Sequence, residues 1–159
     1  MSRLIFSRDM VYEAIHRNRK LLPIQEFKLQ KTWLPWRELC EIYAEPAGAV
    51  FVSCGAAGDA LTYTRHGSFV QDVPVDISFR VGIKNFNDIE EVDKYVHFLE
   101  KLWWLCGNAP RLLNVLDYGP TRIEPLKDPQ GTPTSYTLQK EANVFESYFT
   151  VHYRTIMGE

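Results

Sequence analysis

The sequence predicts an α+β domain: a mixed, largely antiparallel sheet with two main helices packed on one of its faces. Three segments carry that reading. Across Phe69 to Ile83, residues Val73, Val75, Ile77, Phe79, Val81 and Ile83 take every odd position, while Asp72, Asp76, Ser78 and Arg80 lie on the other face. That is strand periodicity without a break. Phe145 to Thr155 alternates again, with Phe145, Ser147, Phe149, Val151, Tyr153 and Thr155 opposed to Glu146, Tyr148, Thr150, His152 and Arg154. Between them, Ile89, Val92, Tyr95, Val96, Leu99, Leu102, Trp103 and Cys106 recur at the i, i+3, i+4 spacing of an amphipathic helix. Strands whose two faces differ this cleanly belong to a sheet covered on one side, and helices with single apolar stripes supply the cover.

The remaining elements follow in chain order. A first helix begins near Ser7 or Asp9, either of which caps it, and ends before Pro23. Its stripe is Val11, Ala14, Ile15, Leu21 and Leu22. Phe27, Leu29, Lys31 and Trp33 share one face of a strand that ends at the corner Leu34-Pro35-Trp36. Glu38 to Glu45 fits a short helix or a strand equally well, and Ala49 to Cys54 reads as a short buried strand. Gly55 to Asp59 is a glycine-rich turn leading into a strand from Ala60 to Thr64. In the long central strand Pro74 cannot donate to a ladder, so its end is expected at an edge or a bulge. Asn87, with Glu90 three residues on, is the expected cap of the long helix, and Gly107, Asn108 and Pro110 are expected to stop it. Arg111 to Tyr118 fits a helix or a strand, Thr121 to Glu124 and Tyr136 to Gln139 read as short strands, and Lys127 to Pro133 is a polar loop.

A length of 159 residues fits one domain, spanning 1–159 with surface loops near 55–67 and 127–133. Nine Phe, eight Tyr and four Trp are enough rings to fill a core and leave some for interfaces. A formal net charge of −2 excludes bulk attraction to a polyanion, so any contact with DNA is local or weak. Cys40, Cys54 and Cys106 are far apart and match no zinc spacing, and they read as small buried hydrophobes in a reducing compartment. Met1 to Phe6 is too short and polar for a signal peptide. Apolar stretches stop well short of the ~20 residues that span a bilayer, so a soluble protein made in the cytoplasm is expected.

Catalytic and cofactor patterns are not evident. Gly55 and Gly58 are followed by no Lys-Ser or Lys-Thr pair, so a turn is favoured over a phosphate cradle. His16, His66, His97 and His152 are scattered; His97 is expected on the solvated helix face and His152 exposed or interfacial. Asp72 and Asp76, four strand residues apart, are separated by roughly 13 Å. That exceeds the ~5–9.5 Å of paired catalytic carboxylates, and a solvent-facing polar row is expected instead. Neither catalytic, cofactor nor metal residues are assigned. The cluster Arg17, Arg19 and Lys20 suits dipole complementation at a helix end, with contact to DNA or to an acidic partner as the sharper alternative.

Several motifs together resemble the tail-terminator, or tail-completion, proteins of tailed bacteriophages. They are the corner Trp33-Leu34-Pro35-Trp36 before Glu38-Leu39, the apolar strand Val50-Phe51-Val52, and the Asp-bearing strand Asp72-Val73-Pro74-Val75-Asp76-Ile77-Ser78-Phe79-Arg80. The acidic helix start Asp88-Ile89-Glu90-Glu91-Val92-Asp93 and the closing strand from Val144 to Arg154 complete the set. The resemblance implies a non-enzymatic structural protein of the virion neck, without cofactor. It implies a homo-oligomeric ring, commonly of six copies, that caps the tail tube and meets neck or connector proteins. Residues 55–67 and 127–133 match nothing in that family. A head–tail adaptor or other neck protein is the alternative reading, and a small ligand-binding or enzymatic α+β domain a further one.

Non-periodic segments are left for contacts, so Trp33, Trp36, Arg65, His66 and Phe69 are the candidate subunit-interface residues. Two Trp at a Pro corner are costly to leave in water, although they also suit a cap on the monomer's core. Arg65 and His66 lie in a polar loop beside the central strand, ready to pair with a neighbour's carboxylates. An Arg65→Glu, His66→Glu double variant is expected to fold yet fail to join assembled particles, as read by gel analysis of purified particles. Normal incorporation would move the contact elsewhere.

Overall fold

A fourteen-residue strand lies hydrogen-bonded along its whole length to another of fourteen residues, and the rest of the fold is arranged around this pair. The structure, a computed structural model, describes residues 3–33, 48–54, 62–63, 69–85, 87–115, 118–124, 137–139 and 144–157. The elements are α1 (Arg3–Arg17), β1 (Lys28–Thr32), β2 (Ala49–Cys54), β3 (Thr62–Tyr63), β4 (Phe69–Gly82), α2 (Ile89–Gly107), α3 (Ala109–Leu112), β5 (Tyr118–Glu124), β6 (Thr137–Gln139) and β7 (Val144–Met157). The sheet runs β1-β2-β4-β7-β5, with β3 on β4 and β6 on β7. Only β1 and β2 run parallel; the other described pairs are antiparallel. The chain is therefore α+β with a mixed, mostly antiparallel sheet.

Alternation decides what each face holds. Val75, Ile77, Phe79 and Val81 of β4 join Phe145, Phe149, Val151 and Tyr153 of β7 and Val50 and Val52 of β2 in one core. Met10, Val11, Ala14 and Ile15 of α1 and Phe98, Leu99, Leu102, Leu105 and Cys106 of α2 close over it. Both helices thus pack on one face. Phe79 is the hub: its ring centroid lies 4.5 Å from Phe98, 6.1 Å from Phe145 and 6.3 Å from Tyr95. Phe98 in turn meets Phe27 edge-on at 5.5 Å. At the start of β2, Gly48 has φ +96, and an added Cβ would stand 3.5 Å from Phe79 Cε2. Only glycine takes that backbone without strain, and its carbonyl accepts the Lys28 amide at 3.0 Å, joining β1 to the sheet.

Boundaries differ from the sequence expectation in instructive ways. Helix α1 starts at Arg3 rather than near Ser7 or Asp9, because Phe6 and the fully buried Ser7 extend the packed stripe backwards. It stops at Arg17, where Asn18 turns its side-chain amide back to the Ala14 carbonyl at 2.9 Å. The chain then tightens into a 3-10 turn over Arg19–Leu21, which sends Leu22 inward and leaves Leu21 exposed. The cap of α2 is Asp88, not Asn87: its carboxylate accepts the Glu91 amide at 3.3 Å. Ile89, the first residue of the expected stripe, is exposed, and Phe98 and Leu105 take inward places instead. The long helix ends at Gly107 with Asn108 as its cap, as expected, but Pro110 does not keep the chain from turning helical again. It sits in the first turn of α3, where its missing N–H costs nothing. Pro74 lies one residue past Val75, the last β4 residue paired to β2, while β7 pairs on through it.

Truncating the hub tests this core. Phe79→Ala is expected to lower unfolding stability by ~3–5 kcal/mol, as for other fully buried aromatics. Chemical denaturation checks this, and unchanged stability would reject the packing of Phe79 between the helices and the sheet.

Candidate interaction surfaces

On the outer side of α1, a chain of charged and aromatic contacts stitches the helix to β1. Arg8 and Asp9 pair at 2.9 Å, and Lys31 of β1 reaches the same Asp9 oxygen at 3.4 Å. The Lys31 ammonium also lies 4.9 Å from the centre of the Tyr12 ring, and Tyr12 stacks on His16. The Arg8 guanidinium sits 4.7 Å over Trp33, just beyond the end of β1. Each contact is partly solvated and individually worth little. Together they hold the Trp33 ring in place although it is 54% exposed. Ile5, one turn before Arg8 and Asp9, is exposed beside this row.

Of the five sequence-predicted interface residues, Trp33 alone can be assessed in full, and it is exposed. Trp36, Arg65 and His66 lie outside the described residues. Phe69 opens β4, its backbone paired with Tyr63 and Met157. Two members of the basic cluster already have contacts within the chain. Arg17 is exposed and pairs with Glu13 at 3.2 Å, one helical turn back. Arg19 lies 4.3 Å over the Phe27 ring, which commits it to packing. Lys20 is exposed.

Away from the helices, the other sheet face carries polar side chains, several of them buried; of the expected solvent-facing pair, Asp76 is half-buried and the Asp72 side chain lies outside the described ones. Ser78 and Arg80 of β4 and Glu146, Thr150 and His152 of β7 are all buried. His152, expected to be exposed or interfacial from its alternation with Arg154, is buried within the chain instead. Arg80 stands directly opposite Glu146 in the ladder, and Thr150 donates its hydroxyl to Asp76 at 2.7 Å across the same two strands. Ala49 and Phe51 of β2 form a small apolar cluster on this side. Period two finds the two faces but is silent on whether the polar one is covered, which is why the sequence reading missed this.

Two further features bear on chemistry. A cavity of about 270 Å³ opens between α1 and the segment after α3, floored by Phe6, Met10, Leu113 and Val115 and rimmed by Asp9, Glu13 and Arg17. The thiols of Cys54 and Cys106 are buried, as expected; Cys40 lies outside the described residues. Burial, reinforced by Asp76 and opposed by Arg8, pushes the Cys54 thiol up to about 12. Burial alone raises Cys106. The Tyr153 hydroxyl donates to the Cys106 carbonyl and is itself held well above its ordinary value, by burial first and then by Cys106. Thiols held protonated in this way are poor nucleophiles. Among the described residues no His, Cys, Asp and Glu groups gather as a metal site, and none of their helices is long and apolar enough to cross a membrane.

The exposed large apolar side chains are the feature sequence reasoning saw least. Besides Trp33 and Ile5, those among the described residues are Leu21, Ile89, Trp104 and Ile123. One signal was present: Trp103 and Trp104 are consecutive, about 100° apart around a helix, so a Trp103 packed on Phe149 turns Trp104 outward. No known family matches the chain, and no curated protein shows detectable sequence similarity to it.

The raised groups set an alkaline limit. Each is protonated in the folded chain. The stability they contribute is whole below pH 9.0, the ordinary thiol value, and is lost as pH climbs towards about 12. Urea midpoints are expected to hold from neutrality to pH 9.0 and then fall, and a flat midpoint up to about 12 would contradict the burial of these groups.

Proposed function

We propose that the chain is a structural ring subunit of the head–tail junction of a tailed bacteriophage, capping the tail tube and joining it to the neck. The observation that carries this reading is the placing of large apolar side chains on solvated surfaces of rigid elements. Trp33 is pinned under Arg8 at the end of a strand, and Trp104 and Ile89 stand on one long helix. Exposed apolar groups rimmed by charge suit contact with other proteins. The sequence motifs that resemble those of tail-terminator proteins supply the particular class. Partners on this reading are further copies of the chain, the tail-tube protein and a neck or connector protein. DNA passing through the junction makes at most local contact, for which Lys20 is the freest of the three cluster residues, since Arg17 and Arg19 are engaged.

The apolar cavity beside α1 favours a second reading, a small-ligand binder. Its two carboxylates and one guanidinium at the rim would select an apolar molecule with a polar end.

Purified virions decide between them. A junction protein is expected in the particle at several copies, located at the neck by antibody labelling. Absence from purified particles, or a single copy per particle, would overturn the ring.

A further inference from the structure

Helix α2 carries an exposed apolar side chain at each end, and the surroundings of the two ends differ in charge. At its start Ile89 is 72% exposed, the most exposed of the large apolar side chains among the described residues. Asp88, Glu90 and Asp93 around it are exposed as well. Asp88 has local work as the helix cap, but capping gives no reason for an isoleucine in water beside it. At the far end Trp104 is 49% exposed and Ile123 of β5 is 39% exposed. The two flank Gly107: it lies one turn beyond Trp104, and a Cβ there would stand 3.6 Å from Ile123 Cδ1. Lys101, one turn before Trp104, and Arg111, beyond the helix end, are exposed and outweigh Glu100, the nearby exposed carboxylate among the described side chains.

Fifteen residues of helix separate Ile89 from Trp104, about 22 Å at helical rise. One rigid helix cannot bring its own ends together, so these patches never meet within a subunit. The Trp104 end calls for an apolar side chain surrounded by carboxylates, and the Ile89 end of another copy is that. We infer that the start of α2 in one copy docks on the end of α2 in the next, with Ile89 seated against Trp104 and Ile123, and Glu90 and Asp93 facing Lys101 and Arg111. The occupant is a second copy of this chain. The contact is heterologous, using different patches on two sides of each subunit, and repeats of it close into a ring when the rotation allows. The inference deepens the ring reading above and rests on it. A contact of this size is weak alone and screened by salt, so assembly becomes firm only where several contacts form together.

Charge exchange tests it. Glu90→Lys with Asp93→Lys makes both ends of α2 basic, and Lys101→Glu with Arg111→Glu makes both acidic. All four residues are exposed and Asp88 is left intact, so far-ultraviolet circular dichroism and melting temperature should match the unaltered chain. In sedimentation velocity at low salt, the unaltered chain is expected to sediment faster as concentration rises. Each variant alone should stay monomeric, and an equimolar mixture of the two should recover association. Variants that associate as the unaltered chain does would reject this contact while leaving self-assembly standing. Association lost in each variant but not recovered on mixing would reject the proposed pairing of the two ends. An unaltered chain that stays monomeric up to its solubility limit would overturn the contact, while the copy number in purified particles decides the ring separately.

Discussion

Register between β4 and β7 is the constraint on which everything else here depends. The two strands pair from Phe69 opposite Met157 to Gly82 opposite Val144 without a shift. Because side chains alternate strictly, a slip of one residue would turn Val75, Ile77 and Phe79 away from the helices and put Asp76, Ser78 and Arg80 beneath them. No rearrangement of α1 and α2 could then bury an apolar face. The remaining strands depend on the same pair. β2 and β3 share the free side of β4, and β5 and β6 share the free side of β7.

The helices convert that register into a packed layer. Phe79 lies between Phe98 above and Phe145 beside it, so one aromatic side chain ties β4, β7 and α2. Tyr153 ties the same layers at the other end, its hydroxyl satisfied by the Cys106 carbonyl near the end of α2. A buried phenol is tolerable only with such a partner, and the carbonyl has room for it because Pro110, four residues on, has no amide hydrogen to give it. With α2 held at its middle through Phe98 and at its end through the Cys106 carbonyl, the side chains on its outer surface keep constant positions relative to the sheet. That rigidity suits Ile89 and Trp104 to the docking proposed for them.

Legibility in the sequence followed periodicity. β4, β7 and the long helix were readable because each has a repeat that one force, burial of one face, imposes on it, and β2, buried at every position, was readable as a short apolar run. The helix boundaries were less so, since caps depend on single side chains: Asp88 and Asn87 are adjacent and equally able to cap, and geometry selects Asp88. Surface roles were least legible. Ile89 belongs to the apolar repeat by spacing and yet is exposed, one turn ahead of Val92, the first residue of α2 packed against the core, while Arg80 and His152 belong to the polar repeat and yet are buried. A repeat states which residues share a face. Whether that face is covered depends on distant parts of the chain, which no local pattern records.

The buried polar face then has a role that the apolar face cannot fill. Hydrophobic alternation forbids odd slips between β4 and β7 but is indifferent to a slip of two, which keeps every apolar residue facing the helices. Polar residues are not interchangeable in this way. In the observed register Arg80 stands opposite Glu146, and Asp76 accepts from Thr150. Moving β7 by two residues would put Tyr148 or Val144 opposite Arg80, and His152 or Tyr148 opposite Asp76. A buried guanidinium would then lose the carboxylate across the ladder, at a cost far above that of any misfitted methyl group. The apolar residues thus choose the face and the buried polar residues choose among the registers that preserve it, so that the two strands pair in one way only.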